Sequence, residues 1–185
     1  ERWINAVLAT QAADGYFGPS AHRGSLNGHA DLWPHMPMLH ALRSWAEYRN
    51  DSRIESALTR FFQFVGRQPD AVFADGWGAT RWGDTIDVLF WLHDRTGEQS
   101  LLDLIHRVHQ RSANWVNNIA SLHNVNFAQG FREPAQYWLL SGDAAHQASS
   151  YQTYNTIMAA YGQFPGGGFA GDENARPGFG DPRAR

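Results

Sequence analysis

Glu173 is the residue whose surroundings best suit it to give and take a proton. It lies with Asp172 and Arg176 in residues 162–185, where seven glycines and three prolines rule out a continued helix. Phe164, Phe169 and Phe179 supply apolar anchors, so the stretch reads as an ordered functional loop rather than a disordered one. A carboxylic acid held there can protonate a leaving oxygen, usually with a second group acting from the opposite face. The plainer reading, in which Glu173 only ties the loop to Arg176, stays open.

Other residue types that handle hydroxyl-rich ligands recur along the chain. His35 follows Trp33 and Pro34, Trp77 and Arg81 precede an apolar helical run, and His123-Asn-Val-Asn126 precedes another. Together His, Asn, Trp and a carboxylate offer directional hydrogen bonds and a flat ring to stack on. We therefore expect His35, Trp77, His123, Asn126 and Asp172 to bind substrate, with Glu173 catalytic. Duller roles remain for some of them: His35 as a helix cap, His123 as a hydrogen-bonded structural residue. Asp84 and Asp87 sit inside an apolar helix, one facing the cavity and the other pairing with Arg81. Arg132 and Glu133 are expected to pair with each other. His106 and His109 share a helix face, but no carboxylate-rich segment accompanies them, and no metal site is expected there.

These residues need elements to position them, and one junction recurs. Trp45 to Asp51, Trp91 to Glu98 and Trp138 to Asp143 each carry an aromatic-rich helix to an Asn or Gly stop, followed by an acidic start. The spacing is about 46 residues, in the range of a helix-hairpin repeat. Ser52 and Glu55 read as a capping box after the first junction. The second helix of each hairpin is amphipathic, as Ile54, Leu58, Phe61, Phe62 and Val65 show, and again Leu101, Leu104, Ile105 and Val108. The first is apolar around much of its circumference, most clearly over residues 86–92. First helices therefore form an inner layer and second helices an outer one, as in an α/α toroid or, alternatively, an open solenoid. The long connections (residues 12–33, 68–79, 117–125 and 162–185) then gather on one rim, at the N-terminal ends of the inner helices. Loops on a rigid scaffold are where function concentrates.

Composition narrows the classes further. With 185 residues, 43% hydrophobic, 18% charged and a net charge of −3, the chain suits one globular domain or part of a larger one. No basic run favours nucleic acid, and no apolar run approaches the roughly 18 residues that span a bilayer. The chain has no cysteine, which excludes disulfides and thiolate metal sites within it and leaves the compartment open. Eight Trp, six Tyr and eleven Phe suit both a well-filled helical core and a ring-lined pocket. The start at Glu1 in helical pattern and the stop at Arg185 within a loop suggest a fragment.

Three segments together resemble the catalytic domain of glycoside hydrolase family 127, the β-L-arabinofuranosidase family. They are Trp33 to His40, His123 to Ala135 and Gly166 to Asn174. The resemblance extends over the whole chain. It implies an all-α fold of αα-hairpins, about half of an (α/α)6 barrel, with residues 1–185 as its N-terminal part and β-sandwich domains further on. It also implies retaining hydrolysis by a zinc-bound cysteine nucleophile with a glutamate acid/base. Glu173, in Gly-Asp-Glu, matches that glutamate. The family's Glu-Thr-Cys zinc motif would begin after Arg185, so nucleophile and zinc ligands would come from the rest of the polypeptide. His35 and His123 resemble sugar-contacting histidines loosely. Two readings from other classes stay open: a non-catalytic carbohydrate-binding toroid, and a helical-repeat interaction scaffold.

Overall fold

A computed structural model describes the backbone of residues 1–164 and 168–169 and the side chains of residues 1–160. The fold is all-α, built from hairpins as the repeat predicts. After α1 (Arg2–Ala9) and a long connection come α2 (Met36–Arg49) with α3 (Ser52–Gly66), and the short α4 (Ala71–Ala74). Next are α5 (Gly83–Thr96) with α6 (Gln99–Arg111), the short α7 (Asn124–Gly130), and α8 (Glu133–Ser141) with α9 (Ala144–Tyr161). No helix among the described residues is long and apolar enough to cross a membrane.

Each hairpin closes where its sequence stops a helix. Asn50, Gly97 and Gly142 adopt left-handed conformations at φ 52°, 70° and 66°, ending α2, α5 and α8. The cap of α3 is Asp51 rather than the expected Ser52–Glu55 box. Its carboxylate accepts from the Arg53 backbone N–H at 3.2 Å and from Trp45 Nε1–H at 3.1 Å. Asp51 is the stronger acceptor and the indole fixes its orientation, while Glu55 turns outward to Arg95 Nη1 at 2.9 Å. The Arg53 side chain, first among the causes, holds the Asp51 carboxyl well below the usual carboxylate range.

The helices form two layers. The inner α2, α5 and α8 lie side by side, each backed by its own hairpin partner α3, α6 or α9, while α3 and α6 also reach the next inner helix. Packing on both sides buries α5 around its circumference, at Thr85, Ile86, Val88, Leu89, Trp91 and Leu92. The outer α6 buries one stripe alone, Leu101, Leu104, Ile105 and Val108, as its period requires. One apolar cluster runs through these hairpins, and a smaller one gathers Trp115, Phe127 and Ile157. Each fully buried Leu or Ile there contributes roughly 1.5–3 kcal/mol.

Past α9 the structure departs from a wholly irregular loop. Strand β1 (Gly162–Phe164) pairs antiparallel with β2 (Gly168–Phe169), Gly162 opposite Phe169 and Phe164 opposite Gly168. The Pro-Gly-Gly between them is a sequence suited to reversing the chain.

Candidate functional site

The site is assembled where the start of α5 meets α7, and glycines permit the approach. A Cβ on Gly130 would stand 2.3 Å from the Thr80 carbonyl oxygen and 2.4 Å from the Trp115 ring, and one on Gly83 2.7 Å from the Gln129 carbonyl oxygen. Residues 113–115 clamp the same segment: Ala113 N–H donates to Ala79 O at 2.9 Å and Trp115 Nε1–H to Thr80 O at 3.1 Å.

That approach brings together Arg81 and Asn126, which stand 45 residues apart, with Nε–H donating to Oδ1 at 2.6 Å. Asn126 in turn donates from Nδ2 to Ser121 Oγ at 3.1 Å and from its backbone N–H to His123 Nδ1 at 3.3 Å. His123 is thus the N-cap of α7, with extended backbone at φ −68° and ψ 121°. Because Nδ1 accepts that bond, the ring's N–H is on Nε2. The ring stands 5.6 Å from Trp77, which is 53% exposed, and Trp77 stands 6.4 Å from Trp33. The Arg81 guanidinium carbon lies 5.1 Å from the Trp33 ring centroid and 5.4 Å from that of Trp77.

Of the residues expected to bind substrate, Trp77, His123 and Asn126 therefore share one cluster beside the N-terminal ends of α5 and α7. His35 lies apart. It is 3% exposed, stacked on Phe61 at 5.2 Å and meeting Tyr16 and Phe17 edge-on, with Nε2 2.6 Å from the Phe17 carbonyl oxygen. Its side chain makes no cap bond to α2, and its Nδ1 is buried without a partner. Burial, the leading cause, pushes its pKa below the ordinary 6.5, so the ring is neutral at pH 7. His35 lines a cleft of about 380 Å³ with Trp3, Val7, Phe17, Pro34 and Met38. That cleft is nearly all apolar and lacks convergent polar groups, so the cluster around Trp77 is the better candidate. Asp172 and Glu173 lie outside the described residues.

Arg81 and Trp33 are cluster members absent from the expected set of ligand-binding residues. Arg81's signal is a lone cation between Trp77 and Trp82, ahead of an apolar helix. Two expected pairings are corrected. Arg132 bonds Asp84, and Glu133 takes His109 Nδ1 at 2.9 Å. Consecutive helical residues point in different directions, so Arg132 and Glu133 cannot face each other. Neither Asp84 nor Asp87 pairs with Arg81: Asp84 is held by Gln129 and Arg132, and Asp87 lies 3.8 Å from Arg43.

The cluster thus brings together an aromatic platform, an imidazole and a fixed guanidinium, groups that suit a sugar ring. A family model, the β-L-arabinofuranosidase GH127 catalytic domain, matches residues 1–185. The chain belongs to that GH127 family. No curated protein and no solved structure matches it. GH127 membership makes this a glycoside hydrolase domain and carbohydrate its substrate class. For zinc, the described residues do not fit: no three or more His, Asp or Glu side chains among them converge, and the chain has no Cys.

Proposed function

We propose that the rim formed by the N-terminal ends of the inner helices binds a β-L-arabinofuranoside or related glycoside for retaining hydrolysis. The observation that carries the reading is the linked group of Trp77, His123, Asn126 and Arg81 in a GH127 domain. Trp77 stacks on the apolar face of the sugar, and the His123 imidazole and the Asn126 network orient its hydroxyls. Asp172 completes the binding set, whereas His35, buried among Tyr16, Phe17 and Phe61, supports the scaffold and does not contact the sugar. Glu173 is the general acid/base: it protonates the leaving oxygen, then takes a proton from the water that releases the sugar. The two helical layers belong to an (α/α)6 barrel of which residues 1–185 form the N-terminal part, and the nucleophile lies outside this chain.

The test is turnover of aryl β-L-arabinofuranosides by the full-length protein and its Glu173→Gln variant. The variant should lose about 10²–10⁴-fold on a poor leaving group, the size of a general-acid contribution, and far less on an activated one. Wild-type turnover of the poor leaving group by Glu173→Gln would sink the assignment.

A further inference from the structure

Arg81 is the only buried arginine among the described residues, at 5% exposure. Half-exposed Arg23, Arg43, Arg107 and Arg132 each have a carboxylate, namely Asp14, Glu47, Asp70 and Asp84. Arg81 has none among the described residues. Among the described residues its one side-chain hydrogen bond runs through Nε to the neutral Asn126 Oδ1. Asp84, close by in sequence, is held by Arg132 and Gln129. A desolvated cation with only an amide acceptor is costly to keep, and an anion supplied from outside would offset that cost.

The surroundings say which anion. With Nε engaged, the guanidinium presents its two terminal amino groups, a planar fork that matches a carboxylate. A phosphate dianion calls for more cationic donors than one arginine. Trp33 and Trp77 flank the guanidinium, and Trp77 offers half its surface to a ring lying against it. We infer that this rim selects a sugar acid, whose carboxylate docks on Arg81 while its ring stacks on Trp77. The inference rests on the reading of the rim as a carbohydrate site and adds a substrate class and a specificity residue to it.

The probes are D-galacturonate and D-galactose, which differ at C6 alone, titrated calorimetrically into the full-length protein with methyl β-L-arabinofuranoside alongside. The uronate should bind at least about tenfold tighter than galactose, the size of one charge-assisted hydrogen bond. Arg81→Gln should bring the two to parity. Asn126→Asp should do the same by a different route, since it places a carboxylate on Arg81 Nε from within and keeps the side chain's shape. That second variant decides the matter if Arg81→Gln fails to fold. Equal affinities in the wild type overturn the inference yet leave the sugar site standing, whereas no binding of any of the three sugars removes the site reading as well. An acid preference that survives in Asn126→Asp overturns the role of Arg81.

Discussion

Gly130 carries no side chain because Thr80 and Trp115 leave no space for one. An added methyl would have to displace a backbone carbonyl and a buried indole, neither of which is a flexible tip. Gly130→Ala should therefore cost about 1–3 kcal/mol, the usual range for overpacking. It should also loosen the Arg81–Asn126 bond, so sugar affinity and melting temperature fall together. Gly66, where a methyl group would meet nothing within 4 Å and the backbone is ordinary helix, is the control. Gly66→Ala should be neutral or gain up to about 1 kcal/mol through the unfolded state. Equal melting temperatures for the two variants would count against a glycine-enforced approach. This contact also explains what sequence reasoning could reach in the site. Trp77, His123 and Asn126 announce themselves by type and by their place ahead of helices. The role of Arg81 does not, because it depends on two backbones touching 45 residues apart, and no local pattern encodes that.

Helix and hairpin are the scale at which the sequence reads best. Period and stop signals place α2, α3, α5, α6, α8 and α9, since a buried stripe and a left-handed cap are both local requirements. The short α4 and α7 and the β1–β2 ribbon are not legible in this way, because pieces under two turns depend on what they pack against. The cap of α3 shows the remaining error of one residue. Ser52 and Glu55 have the right spacing for a box, yet Asp51 competes for the same backbone N–H groups and is held by Trp45. Asp51→Ala should cost about 1 kcal/mol as a lost cap, with the Trp45 indole losing its acceptor besides. For a chain of this size that lowers the melting temperature by roughly 2–4 °C. Ser52→Ala should leave it nearly unchanged. If the two variants exchanged these effects, the cap would belong to Ser52.

The whole molecule answers to pH through groups that anchor the long 10–35 connection to the hairpin core. His35 is neutral beneath that connection, hydrogen-bonded to the Phe17 carbonyl, and burial lowers its pKa from 6.5. Above pH 6.5 both folded and unfolded chains hold it neutral, and it contributes no pH dependence. Below that value the unfolded chain takes up the proton first, so stability falls as acidity rises toward the folded pKa. Asp14 acts in a lower window. Arg23 bonds it at 2.7 and 3.0 Å while lying over the Tyr16 ring, and the carboxyl is lowered from 3.8 to about 2. Its contribution is complete above the unfolded value and disappears as pH falls through the folded one; partial exposure and solvent screening keep it modest. Melting temperature should thus decline in two stages, one beginning near pH 6.5 and one between about pH 4 and 2. His35→Gln can keep a donor toward Phe17 without titrating and should flatten the first stage alone, while Asp14→Asn should shrink the second, the remainder belonging to Asp51, whose carboxyl Arg53 also holds low. A first stage undiminished in His35→Gln would mean that another of the nine histidines carries it, and that the 10–35 connection is anchored independently of protons.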